Sequence, residues 1–266
     1  MASEYITVET YKFQAIADAI KYRYSWPATK TMTSGEMPRL IREIPDMDIL
    51  KTKFTLKDGT VKTHDITGTL DGEWMNVNGY YDNNIGEWLK TITKADIGNA
   101  VTSIGDSAFR YCSELTSITI PDKVTSIGDE AFVGCSELTS ITIPDYVTDI
   151  GNYAFSGCIS LVSITIPSKL KNIGDNAFSG IGALTSITIP EVTSIGYQAF
   201  FDCHNLTSIT IPDKVTSIGD EAFVGCTYLT SVTIVATGKP GASAANVKQN
   251  MINAGVSENI IWNMPN

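Results

Sequence analysis

Histidine is nearly absent. His64 and His204 are the only two in 266 residues, and they lie 140 positions apart. Imidazole is the commonest general base and a frequent metal ligand. No Ser-His-Asp set, HExxH helix, GxSxG elbow or phosphate-binding glycine loop can be assembled around these two. The expectation is a non-enzymatic chain with no metal and no cofactor. An enzyme on such a chain would need a pocket joining His204 to carboxylates of shifted pKa. Basic residues are also few, 19 Lys and Arg against 29 Asp and Glu, for a net charge of −10. That balance excludes a nucleic-acid partner, which would require clustered cations. No window holds 18 consecutive apolar residues, so no membrane insertion is expected. The opening MASEYITVET has two Glu and no basic region ahead of an apolar run, so no secretory signal is expected. On that reading the protein acts inside the cell or particle that made it, or follows a leader already removed.

What the chain does have is repetition. A unit begins with residues 101–123, VTSIGDSAFRYCSELTSITIPDK, and further copies start at Val124, Val147, Leu170, Val192 and Val215. The fourth copy is one residue short, at Pro190-Glu191. Residues 115–135 are identical to residues 206–226, which points to recent duplication. Within a unit, LTSITI alternates: Leu115, Ile118 and Ile120 turn inward while Ser117 and Thr119 turn outward, the period of a strand rich in β-branched residues. Pro121 ends the strand because it has no N–H for the ladder. VTSI at residues 101–104 is a second, shorter strand. Gly105 allows a tight turn, and Asp106 is placed to cap a short helical turn that carries Ala108 and Phe109. One unit cannot bury its apolar face alone. Stacking would gather Phe109, Phe132, Phe155, Phe178, Phe200 and Phe223 into one aromatic column. At a strand spacing of roughly 4.8 Å, six turns would extend about 29 Å.

The recurring pattern IGxxAFxxCxxLxxIxIP resembles the bacterial BspA-like leucine-rich-repeat family over residues 101–234, about half the chain. The resemblance implies an α/β repeat solenoid, right-handed, with strands, short helical turns and non-repeat caps. It further implies a cell-surface or extracellular binding and adhesion module whose partner is a protein or glycan, with no catalytic residues to carry over.

The flanking segments divide the remainder. Residues 1–46 read as a helical hairpin. Phe13, Ile16, Ala17 and Ile20 share one helix face, Thr33 and Glu36 form a capping box, and Met37, Leu40, Ile41 and Ile44 give a second apolar face that Pro45 stops. AIADAI followed by TSGEMPRLI, within residues 13–45, resembles a module at the front of phage and prophage tail-associated proteins. That resemblance implies a virion-associated tail or receptor-binding protein, with residues 1–46 as a docking or oligomerisation piece. Residues 47–100 read as a β-hairpin, with Phe54 and Leu56 inward and Asp58-Gly59 at the turn, followed by a degenerate capping rung in WLKTIT at residues 88–93. Residues 101–234 hold the six repeats. Residues 235–266 read as a C-terminal cap: a loop, a helix opened by Ser243 and closed by Gly255, and a strand whose Ile260, Ile261 and Trp262 cover the last turn.

Candidate sites follow from the slots of the repeat. Cys112, Cys135, Cys158, Cys203 and Cys226 share a slot that Ile181 fills in the fourth unit. A slot that accepts Ile is apolar, so all five thiols are expected to be buried and unpaired, and no CxxC pair suggests zinc. Asp106, Asp129, Asp175 and Asp220 share another slot, with Asn152 and Tyr197 in the gaps. One carboxylate per unit is too few for the six to eight oxygens of a calcium site, so capping is the expected role. Acidic pairs such as Asp129-Glu130 recur at Asp220-Glu221 as part of the unit. The outward strand positions form a hydroxyl ladder: Ser117 and Thr119, Ser140 and Thr142, Ser163 and Thr165, Ser186 and Thr188, Ser208 and Thr210, Ser231 and Thr233. Such a ladder suits a repetitive ligand such as a glycan or polymer, ice, or water alone. It lacks the aromatic and Arg anchors of a protein interface. Those residue types stand elsewhere, at Arg110, Tyr111, Tyr146, Tyr153, Tyr197, Phe201, His204 and Tyr228, in place of small or polar residues of the other units. These eight are the candidate partner-binding edge.

Overall fold

The computed structural model describes residues 51–77, 91–236 and 244–264. The helical hairpin expected over residues 1–46, the tail-module resemblance within it, and Ser243 lie outside those residues. The chain winds as a β-solenoid. A hairpin of β1 (Thr52–Leu56) and β2 (Val61–His64) leads into β3 (Gly68–Leu70), helix α1 (Gly72–Val77) and β4 (Ile92–Asp96). Each later turn of the coil adds a short and a long-side strand. These are β5 (Val101–Ile104) and β6 (Ser117–Thr119), β7 (Ser126–Ile127) and β8 (Ser140–Thr142), β9 (Asp149–Ile150) and β10 (Ser163–Thr165), β11 (Asn172–Ile173) and β12 (Ser186–Thr188), β13 (Ser194–Ile195) and β14 (Ser208–Pro212), and β15 (Ser217–Ile218) and β16 (Ser231–Val235). Helix α2 (Ala244–Asn253) and β17 (Ile261–Asn263) close the coil. The short strands pair in parallel in one seven-stranded sheet from β3 to β15. On the long side, β4 pairs with β6, β8 with β10, and β12, β14, β16 and β17 follow one another.

The interior is made of identical slots. Leu115, Leu138, Leu161, Leu184 and Leu206 are fully buried, as are Ala108, Ala131, Ala154, Ala177, Ala199 and Ala222. The six phenylalanines stack with ring centroids 5.2–5.7 Å apart and planes within 18° of parallel. Those separations exceed the interstrand distance of about 4.8 Å, so successive rings are offset, as their quadrupoles favour. Phe54 of β1 meets the first ring, Phe109, edge-on at 6.1 Å and 70°. At the other end, buried Val247 and Met251 of α2, with Ala254 and Val256, complete the apolar core. There the Phe223 N–H donates to the Ala254 carbonyl at 2.9 Å, as each earlier Phe donates to the next turn.

Four expectations need correction. First, the segment carrying Ala108 and Phe109 is not helical; among the described residues the helices are α1 and α2, both outside the repeats. Ser107 and Tyr111 take positive φ, 57° each, and the equivalent positions of later turns do the same. Every second N–H is thereby aimed along the coil axis. Those of Ser107, Phe109 and Tyr111 reach the Asp129, Ala131 and Val133 carbonyls of the next turn at 2.9, 2.7 and 2.6 Å. Second, Asp106 does not cap its own turn. Its Oδ1 accepts the Asp129 N–H of the next at 2.9 Å, and the relay continues through Asp129 to Asn152 (2.6 Å), Asn152 to Asp175 (2.8 Å) and Asp175 to Tyr197 (2.8 Å). Third, the capping rung is three residues off the WLKTIT echo. β4 pairs with β6 as Lys94↔Ser117, so fully buried Ile92 holds the Leu115 slot and not the Ile118 slot that the echo implies. Fourth, Ile261 does not cover the last turn: it is 63 % exposed, and α2 with half-buried Ile260 and Trp262 does that work.

The glycine that precedes the Asp106 slot in each turn is required by closeness to the preceding turn. A Cβ on Gly151 would lie 2.4 Å from Asp129 Oδ1 and 2.6 Å from its backbone nitrogen. The fourth turn's missing residue brings Glu191 beside Lys214, an ion pair whose cation is 7 % exposed. β1 also pairs antiparallel with β4 (Phe54↔Ala95), so the hairpin lies over the first end of the long-side sheet.

The stack sets a gradient of packing. Phe155 has a ring on each side and no route to collapse, so Phe155→Ala is expected to cost about 4 kcal/mol. Denaturant unfolding of the full chain measures it; a midpoint equal to the parent's would contradict the continuous column.

Candidate binding face

Each turn of the coil exposes three segments: the long strand, the short strand, and the irregular turn segment between them. The hydroxyl ladder lies on the long strand. Ser140 pairs in register with Ser163 and Thr142 with Thr165; Ser186 pairs with Ser208 and Thr188 with Thr210. From Ser117 to Thr188 these side chains are exposed, and Ser208 and Thr210 are half-buried. The ends of the ladder are engaged: Thr119 donates to Asp96 at 3.2 Å, and Asn263 of β17 donates to Ser231 and Thr233 at 3.3 and 3.1 Å. Beside the ladder, Thr116, Thr207 and Thr230 donate to the carbonyl of the preceding turn at 2.9–3.2 Å. The face is regular and polar.

The eight residues of the expected edge do not form one patch. Tyr146 stands between β8 and β9, away from the turn segment, with the Lys169 ammonium 3.8 Å from its ring centroid. Tyr228 follows the last turn segment, where its N–H donates to the His204 carbonyl at 3.2 Å. His204 is half exposed, with its Nδ1 3.2 Å from the Asp202 backbone carbonyl oxygen and 3.8 Å from an Asp202 carboxylate oxygen. Its ring lies over Gly182, where a Cβ would meet Cε1 at 3.1 Å.

Arg110, Tyr111, Tyr153, Tyr197 and Phe201 do lie on the turn face. Arg110 pairs with Glu130 at 2.7 Å, and its guanidinium sits 4.9 Å from the Tyr111 ring centroid. Tyr111, Tyr153 and Tyr197 are each 44 % exposed, and Phe201 is half-buried. Tyr153 and Tyr197 belong to the third and fifth turns. Between them, on the fourth, is Asn176: the Tyr153 N–H donates to Asp175 and the Asn176 N–H to the Tyr197 carbonyl, both at 2.8 Å. Gln198 donates to Glu221 at 2.6 Å beside this group. Partial desolvation raises the Tyr197 phenol above its ordinary value, and Glu221, Tyr153 and Asp220 push the same way. Asn176, Gln198 and Glu221 were missed by sequence reasoning. The available signal was that their slot changes from Ser107 through Glu130 and Tyr153 to Glu221, while the neighbouring Ala and Phe never change.

The cysteine column contributes no chemistry here. Cys112, Cys135, Cys158 and Cys203 are buried; Cys226 is half-buried, a departure from the expectation of five buried thiols. The thiols of Cys135, Cys158, Cys203 and Cys226 donate to the Phe carbonyl of the preceding turn at 3.1–3.2 Å. Burial pushes Cys135 well up and Cys203 up to about 12. The Cys135 thiol, then burial, raises Cys158. Such thiols stay protonated near neutrality and are poor nucleophiles. Among the described residues no three His, Cys, Asp or Glu converge to hold a metal ion, and no helix is long and apolar enough to cross a membrane.

Comparison with known proteins adds a family pattern. Residues 87–205 and 193–245 match the BspA type leucine rich repeat region, in six copies. A leucine rich cell surface protein from Faecalibacterium prausnitzii A2-165 is 30 % identical, with 62 % of this chain and 52 % of that one covered and a TM-score of 0.46. This chain thus spans about half the length of that protein. A leucine rich repeat protein of T. pallidum is 27 % identical, over 64 % of this chain and 86 % of that one, with a TM-score of 0.48. The pneumococcal vaccine antigen PcpA is 16 % identical, over 79 % of this chain and 47 % of that one, with a TM-score of 0.40. No curated protein matches the chain.

The thiol environments predict an order of reaction. In the native protein a thiol reagent should label Cys226 first and slowly, with the other four reacting only on unfolding. Rapid labelling of all five without denaturant would contradict the buried column.

Proposed function

The chain belongs to the BspA type leucine-rich repeat family, and from that premise we propose that it is a non-enzymatic binding or adhesion module of a bacterial surface protein. It recognises a protein or glycan through the turn face. The observation that carries this reading is where variation falls. Interior slots repeat almost without change, whereas Arg110, Tyr111, Tyr153, Tyr197 and Phe201 change only the outward side of the turn segment. Tyrosine supplies a large amphipathic contact at small entropic cost, which suits a recognition surface. These rings sit on backbone hydrogen-bonded to a neighbouring turn, so little ordering accompanies binding. The long-strand ladder offers hydroxyls alone and is the secondary face.

An immobilised panel of matrix glycoproteins and oligosaccharides tests the assignment. The full chain should be retained by at least one member, and the triple variant Tyr111→Ala, Tyr153→Ala, Tyr197→Ala should bind that member about a hundredfold more weakly, the scale of a lost hot spot. Circular dichroism and the melting temperature should stay near the parent's, because all three side chains are outside the core. Retention of the triple variant at parental strength would exclude the turn face.

A further inference from the structure

On the turn face, the third and fourth turns carry the smallest outward residues. Ser156-Gly157 and Ser179-Gly180 stand where the first turn has Arg110-Tyr111 and the fifth has Phe201-Asp202. Among the described residues, a Cβ on Gly157 would meet only the Gly134 backbone, at 3.7 and 3.8 Å, and one on Gly180 only the Gly157 backbone, at 3.8 and 3.9 Å. Among the described residues, no side chain lies within 4 Å of either position. Tyr111 bounds one end, its ring 2.6 Å from where a Gly134 Cβ would be.

Beside the strip, between the turns of Tyr153 and Tyr197, is Asn176. It has φ of 55° and is 5 % exposed, although Ser107, Glu130, Tyr153, Gln198 and Glu221 in the same slot all reach solvent. Its Nδ2 has no hydrogen-bond partner among the described residues. A buried amide donor left without an acceptor is held at a cost that an incoming oxygen removes. An acceptor delivered between the two tyrosines is therefore favoured.

The surroundings define that acceptor. Two phenol rings favour an apolar C–H surface. The Glu221 carboxylate next to Tyr197 favours a ligand N–H or O–H and opposes an anion. An acetamido group provides a carbonyl oxygen, a methyl and an N–H on one small neutral unit. The span from Tyr153 to Tyr197 is two turns, roughly 10 Å. That suits a sugar ring, whereas a stable protein interface needs about 800 Å² from each side. We propose that Tyr153, Asn176 and Tyr197, with the open strip at Gly157 and Gly180, form a subsite for an N-acetylhexosamine unit of a neutral glycan. The assignment rests on the turn face being the recognition face and names the class of ligand it takes. Asn176 Nδ2 donates to the acetamido carbonyl once a tyrosine ring swings aside, and the rings close on the methyl and the sugar face.

Isothermal titration calorimetry of the full chain with N,N′,N″-triacetylchitotriose tests it. Saturable binding is expected, weakened about tenfold or more by Tyr153→Ala, by Tyr197→Ala and by Asn176→Gly, which tolerates the same backbone. Gly180→Asn, tolerant of positive φ and large enough to fill the strip, should weaken it too. Tyr146→Ala and Tyr228→Ala should leave it unchanged. The proposal is overturned if the parent chain shows no saturable binding, or if the Tyr153, Tyr197 and Asn176 variants bind as the parent does. It is also overturned if a protein ligand requires Asn176 and the oligosaccharide does not compete. Loss of panel retention in the triple tyrosine variant without oligosaccharide binding removes the sugar subsite and leaves the recognition face standing. Survival of panel retention in that variant removes both.

Discussion

Every turn of this coil depends on the next for its hydrogen bonds and its apolar contacts. Backbone N–H groups of the turn segment reach forward to the following turn, and threonine hydroxyls of the strands reach back to the preceding one. Phenylalanine packs on phenylalanine and alanine on alanine, because the same slot always lies above itself. A residue type survives in such a stack only if it tolerates its own copy about 4.8 Å away. Apolar and hydroxyl groups meet that condition readily. Aspartate meets it because its carboxylate accepts the N–H of the next turn, which converts a line of like charges into a line of charge-assisted hydrogen bonds.

The same dependence makes the two ends special. An end turn has a neighbour on one side, so unrelated structure must supply the missing surface. At the start, β1 runs antiparallel beside β4 and sets Phe54 edge-on against Phe109. At the finish, α2 buries Val247 and Met251 in the core, and Ala254 accepts the Phe223 N–H that a further turn would otherwise have taken. Asn263 of β17, bonded to Ser231 and Thr233, finishes the long-side ladder.

Selection for stacking leaves little freedom inside and a good deal outside. The column of Cys112, Cys135, Cys158, Cys203 and Cys226 illustrates the first, since its buried thiols behave as small apolar groups and one slot substitutes Ile181. The turn face illustrates the second. Its positive-φ positions accept Ser107, Tyr153, Asn176 or Gln198 without disturbing the hydrogen bonds between turns. A rigid scaffold with variable outward residues is the arrangement on which recognition sites are built.

Residue spacing alone revealed the number of turns, the inward Leu, Ile and Phe slots, and the apolar nature of the cysteine slot, because it records which side of the chain avoids water. It also marked which outward residues vary. Contacts between turns settled the rest. Asp106 and Ala108-Phe109 read locally as a capped helical turn, yet the partners of those groups are on the next turn, beyond the reach of any local pattern. WLKTIT matched the repeat as text, while the strand itself took its register from pairing with β6, which placed Ile92 in the Leu115 slot. Tyr146 and Tyr153 are close in sequence and on different faces; Tyr153 and Tyr197 are far apart and flank the same Asn176. The physical reason is the same in each case: the pattern within a unit fixes inside and outside, but which side chains meet is set by residues 22 or 23 positions away, through bonds that exist only once the turns have stacked.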